Sequence, residues 1–159
     1  MKRLFIFFTA ITLLTLPVFA FASGSATKDE CVIKCREAAA IINTKGLKEA
    51  EKTISNPHGP FVWKDSYVFL MNLDGKMLAH PFKPELTRMK HVLLITDPKG
   101  QALFVHFVNL AKTRGEGWVE YMWPKPGKNT PWTKLTYIYR VPGTDLFVGA
   151  GVYVGGMMY

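Results

Sequence analysis

Between Asn56 and Pro60 the rhythm of apolar residues changes, and that change limits the folds open to this chain. Upstream, Val32, Ala39 and Ile42, flanked by Cys35 and Ala38, recur at helical spacing as far as Asn43. Thr27 followed three residues later by Glu30 matches a capping box, and Gly46 is a C-terminal stop. Residues 47–54 read as a second, shorter helix, and Asn56-Pro57-His58-Gly59-Pro60 has the composition of a loop. Downstream the period is two. Runs 62–72 and 76–80 are rich in β-branched and aromatic residues, with Asp74-Gly75 between them as a hairpin turn.

Pro81 and Pro84 close the second run, and 85–95 fits either a short helix or an irregular crossing segment. Across 101–114, Leu103, Phe104, Phe107, Val108 and Ala111 trace a helical stripe that Gly115 ends. Strands follow over 117–123, 133–141 and 146–154, joined by a Pro/Gly-rich loop and by the turn Pro142-Gly143-Thr144-Asp145. Connections this short force antiparallel pairing. The order predicts an α+β fold, with a long N-terminal helix packed on a five-stranded antiparallel sheet. One sheet face is covered by helices, and the other is left open for a ligand.

The N-terminus reads as a secretory signal. Lys2 and Arg3 precede an apolar run over 4–16, Pro17 breaks it, and Ala20-Phe21-Ala22 offers small residues for cleavage near Ala22. The alternative is an anchor that is kept, if the run is extended through Phe21. Cleavage of 1–22 from the 159-residue chain leaves one domain, 23–159. It removes two of 20 basic residues and none of 12 acidic ones, for a net charge of +6. The lysines are scattered rather than clustered, so nucleic acid is not an expected partner. The expected location is periplasmic or secreted.

Cys31 and Cys35 lie one helical turn apart, a spacing with poor disulfide geometry. They either pack a helix face as small apolar groups, or form an intermolecular or strained local bridge. No Gly-x-Ser-x-Gly elbow is present, and His58, His80, His91 and His106 have no zinc spacing. The chain is expected to be no enzyme and to carry no cofactor or metal. Binding has more behind it. Trp63, Tyr67, Trp118, Tyr121, Trp123, Tyr137 and Tyr153 stand on presumed strands near Lys134, His80 and Asp65. Aromatic walls with a few cationic and hydroxyl donors suit a small carboxylate. Alternation puts Trp63, Asp65 and Tyr67 on one strand face, and separates Lys134 from Tyr137.

Several segments together resemble a single Cache domain of the second type. These are Gly-Pro-Phe-Val-Trp-Lys-Asp-Ser-Tyr-Val-Phe (59–69), Asp74-Gly75, Ala79-His80-Pro81 and Asp97-Pro98-Lys99-Gly100. Gly-Trp-Val-Glu-Tyr-Met-Trp-Pro-Lys-Pro (117–126), Lys134 with Tyr137, and Gly-Ala-Gly-Val-Tyr (149–153) complete the set. The resemblance implies a PAS-like fold and an extracytoplasmic sensor that binds short organic acids or similar small molecules. Carried over onto matching motifs, the implied ligand-binding residues are Trp63, Asp65, Tyr67, His80, Trp118, Tyr121, Trp123, Lys134 and Tyr137. Asp65 and His80 either hold the ligand or tie the hairpin. Family members usually sit between two membrane spans of a receptor or kinase, whereas this sequence shows a signal peptide and no second span. A free-standing sensor would pass its state to a separate membrane receptor or kinase. The competing expectation is a homodimeric interaction module built on the N-terminal helix.

Overall fold

Helix α1 (Lys28–Lys45) begins where the capping box places it. Thr27 Oγ1 accepts from the Glu30 backbone N–H at 3.2 Å, and Glu30 Oε2 accepts from Thr27 N–H at 2.8 Å. The structure, a computed structural model, describes residues 24–155; the signal-peptide reading and the last four residues lie outside them. Gly46 ends α1 with φ +83° and leads directly into α2 (Leu47–Ile54). No helix among the described residues is long and apolar enough to cross a membrane.

The strands are β1 (Val62–Trp63), β2 (Ser66–Asn72), β3 (Met77–Ala79), β4 (Glu116–Pro124), β5 (Pro131–Arg140) and β6 (Leu146–Tyr153). They form one antiparallel sheet in the order β1-β2-β6-β5-β4, with β3 on the outer edge of β2. Among the described residues the sheet therefore has six strands rather than five. The extra one arises because 62–72 is not a single run. Lys64 takes φ +47°, Lys64-Asp65 becomes a two-residue turn, and β1 folds back on β2 with Val62 opposite Tyr67 and Trp63 opposite Ser66. Alternation across 62–72 assumed continuous extension, and the turn reverses it. Trp63 and Tyr67 consequently face opposite sides of the sheet.

The expectation of one open sheet face is also corrected. On one side α1 and α2 pack over Val68, Leu70, Tyr137, Val148, Ala150 and Val152. On the other, α3 (Leu103–Thr113) and the segment before it pack over Tyr67, Phe69, Met71, Tyr121, Ile138 and Phe147. The ambiguous 85–95 stretch contains two short 3-10 helices, Pro84–Arg88 and Val92–Leu94, whose Leu86 and Val92 plug this second core. The fold class stands as α+β, with a core on each side of one sheet.

Candidate functional site

The second side of the sheet holds a buried lysine. Alternation along β5 sends Lys134, Thr136 and Ile138 toward α3, and Leu135, Tyr137 and Tyr139 toward α1. Lys134 pairs in register with Tyr121 of β4 and Tyr153 of β6. Its stem crosses β6 at Gly151, where a Cβ would come within 2.9 Å of Lys134 Cε and 2.3 Å of Thr136 Oγ1. Glycine is needed there because another strand's side chains occupy the space. Gly149 clears room for Phe69 in the same way.

Lys134 is fully buried, and among the described residues its Nζ has no hydrogen-bond partner. It lies 3.9 Å from the centroid of the Tyr67 ring and 4.9 Å from that of Tyr153. Cation–π attraction offsets only part of the cost of burying a charge. Burial pushes the ammonium down to about 7, with Cys31 and Asp65 opposing the shift. Burial also raises the hydroxyls of Tyr67, Tyr121 and Tyr153, so these stay protonated as donors.

His80 stands beside Tyr67, with ring centroids 4.8 Å apart. Its Nδ1 accepts from the backbone N–H groups of Phe82 and Lys83 at 3.2 and 3.0 Å. Burial, then Lys134 and Lys83, pushes the imidazole down to about 3. The ring is therefore neutral, and with Nδ1 accepting, its proton sits on Nε2. Tyr121 Oη and Thr136 Oγ1 lie 3.0 Å apart, and Tyr153 Oη donates to Pro124 O at 2.7 Å.

A cavity of about 280 Å³ opens at this place, between Tyr67, His80, Phe82, Trp123 and the loop 124–129. Tyr67, His80 and Trp123 also wall a much smaller apolar space of about 10 Å³, shared with Phe69, Phe104 and Phe107. The pair makes a polar mouth over an apolar end. A larger groove of about 650 Å³ between Asp74-Gly75-Lys76 and residues 87–94 gathers none of these buried groups.

Of the nine residues expected to bind, Tyr67, His80, Tyr121, Trp123 and Lys134 come together here. Trp63, Trp118 and Tyr137 do not. They pack on the α1 side, where Trp118 and Tyr137 are in ring contact at 5.2 Å and Tyr137 Oη donates to Glu116. The two-residue turn moved Trp63, and strand alternation moved Trp118 and Tyr137. Asp65 ties the Lys64-Asp65 turn to the residue before Thr27 and to the β4–β5 loop. Its Oδ1 accepts from Ala26 N–H at 2.8 Å, and its Oδ2 lies 3.3 Å from Lys125 Nζ. The expected binding set left out Tyr153, Thr136, Phe82 and Lys125. Alternation with Lys134 along β5 was the available signal for Thr136, while Tyr153 needed the strand register and Phe82 and Lys125 needed the loops in place. Among the described residues no group of three His, Cys, Asp or Glu side chains gathers as a metal set.

A family model for the Cache domain matches residues 38–157. A 90-residue stretch is 39% identical to the methyl-accepting chemotaxis protein McpP of Pseudomonas putida. A 91-residue stretch is 31% identical to the sensor histidine kinase MctS of Rhizobium johnstonii. Each match takes in 57% of this chain but only 16% and 19% of those relatives, so the chain corresponds to a small part of their length. Among solved structures, a Cache chemosensory domain described for carboxylic acid recognition superposes with TM-score 0.68 at 27% identity. That superposition covers 80% of this chain and 92% of the other. The periplasmic sensor domain of a chemotaxis protein superposes with TM-score 0.63 at 25% identity, covering 78% and 88%. A methyl-accepting chemotaxis protein from Vibrio parahaemolyticus shares the fold at 22% identity, with TM-score 0.67 over 82% and 90% of the two chains.

Proposed function

The chain belongs to the Cache domain family, and from that premise we propose that it senses a short organic acid outside the cytoplasm and serves signal transduction. The observation that carries this reading is Lys134 Nζ, buried beside Tyr67, Tyr153 and Tyr121 and without a hydrogen-bond partner among the described residues. A carboxylate placed beside it supplies the counter-charge that the surrounding aromatic rings only partly replace. His80 Nε2–H and the Tyr67 hydroxyl donate to the same anion, and the small apolar space beyond takes the ligand's carbon end. The similarity to a carboxylic-acid-recognising Cache domain supports the same ligand class. In this reading residues 1–22 export the domain 23–159, and a membrane receptor or kinase takes up its state.

The test is a thermal-shift screen of short organic acids and amino acids at pH 7. A ligand at one hundred times its Kd adds about 2.7 kcal/mol by mass action, which raises Tm by several degrees. Lys134→Met removes the response. No shift across the whole library, with folded protein, overturns the reading. Mass spectrometry of the exported protein tests the domain boundary, with a mature N-terminus at Ser23 as the expected result.

A further inference from the structure

One carboxylate joins the mouth of the cavity to the start of the long helix. Lys125 lines the cavity from the β4–β5 loop, over the rings of Trp132 and Tyr153 at 4.7 and 5.3 Å. Its Nζ pairs with Asp65 Oδ2 at 3.3 Å, and both side chains are more than two-thirds buried. The other oxygen, Oδ1, accepts from Ala26 N–H at 2.8 Å, one residue before the N-cap Thr27. Asp65 itself is not among the residues lining the cavity.

Its neighbour in the turn grips the same helix end. Lys64 Nζ donates to Glu30 Oε1 at 2.7 Å, while Glu30 Oε2 closes the capping box. Lys64 holds the left-handed φ of +47°, which a residue with a Cβ adopts only when its surroundings enforce it. The turn is thus clamped to α1 by two side chains, and to the cavity by one.

The geometry points to Asp65 as a positioning residue that couples occupancy of the cavity to the N-terminal end of α1. An anion entering the cavity competes with Asp65 for Lys125, because the lysine faces both. Asp65 then loses the charge that fixes its rotamer, and the Ala26 tie loosens. This rests on the reading of the cavity as a carboxylate site.

Amide hydrogen exchange at Ala26 is the readout, in the full mature domain. Lys125→Met should speed Ala26 exchange by about tenfold, the scale of one weakened charge-assisted hydrogen bond, and leave β6 amides unchanged. Asp65→Asn keeps an acceptor for Ala26 and removes the charge. In that background Lys125→Met should change exchange by less than about twofold, since the two act through one contact. Equal effects in both backgrounds overturn the coupling, as does no effect of Lys125→Met. Acetate, the smallest carboxylate with an apolar group, is the ligand probe. It should speed Ala26 exchange in the unmodified protein, and bind Asp65→Asn with affinity within about threefold while leaving its exchange unchanged. Acetate that binds without altering Ala26 sinks the coupling alone, and loss of acetate binding in Asp65→Asn makes Asp65 a ligand contact instead. If no acid in the screen binds, the carboxylate reading falls, and with it the ligand's part in the coupling. The Lys125/Asp65 cycle still decides the contact itself.

Discussion

In the proposed reading, the burial that makes the Lys134 ammonium costly to keep charged also makes it a strong partner for an anion. A folded-state value near 7 against 10.5 in the free side chain means the unfolded chain binds more protons between those limits. Stability therefore rises with pH across that window. Above pH 9 the Cys31 thiol, pushed up to about 11, and the raised tyrosines work in the opposite sense. Urea denaturation between pH 7 and 9 should show stability increasing, by at most about 1.4 kcal/mol per pH unit from this group. Lys134→Met should flatten that slope and stabilise the ligand-free protein at pH 7 by about 2 kcal/mol, as apolar replacements of buried charges often do. Carboxylate binding stabilises the protonated amine, so affinity should weaken above pH 7, by up to about tenfold per unit. Calorimetric titrations at pH 7 and 8.5 measure it, and a pH-independent affinity would count against Lys134 as the anion's partner.

At the scale of elements, the sheet is shaped by what crosses it. β6 presents glycines at 149 and 151 to the cavity side because Phe69 and Lys134 lie over them. Gly151→Ala would press a methyl against Thr136 and the Leu135 carbonyl, which are strand neighbours with little room to move. It should cost about 2 kcal/mol by chemical denaturation and displace Lys134, so carboxylate binding should fall with it. At the start of α1, Thr27→Ala breaks the capping box and should cost about 1 kcal/mol by chemical denaturation. Both elements were foreseeable in part. The capping box is a local pattern of residues three apart, and it appears where it was expected. The turn at Lys64-Asp65 is not local in that sense. Nothing in Trp-Lys-Asp-Ser marks a reversal, and Lys64 holds its conformation through partners on α1 far away in sequence.

For the whole molecule, two cores share one sheet, so opening either exposes the other. Cys31 and Cys35 sit on the buried face of α1 with no exposed surface, unpaired among the described residues. Their thiols should react with an aromatic disulfide reagent only through global opening. A carboxylate at one hundred times its Kd should then slow labelling by about a hundredfold, although it binds on the opposite side of the sheet. Labelling that ignores the ligand would mean the α1 side opens independently. The chain's own residues determined the order of elements, the capped helix, the hairpin and the meander, because each depends on neighbours within a few positions. The resemblance also pointed to Tyr67, His80, Tyr121, Trp123 and Lys134, within a set of nine of which the other four lie elsewhere. Which side of the sheet each aromatic faces, and what lies over the second face, was decided only in three dimensions. A two-residue turn inverts every side chain beyond it, and a loop without periodicity reveals its cover only when packed. For that reason Trp63 ended against α1, where alternation along β4 and β5 also puts Trp118 and Tyr137, while Lys125 joined the cavity and Tyr153 packed on Lys134.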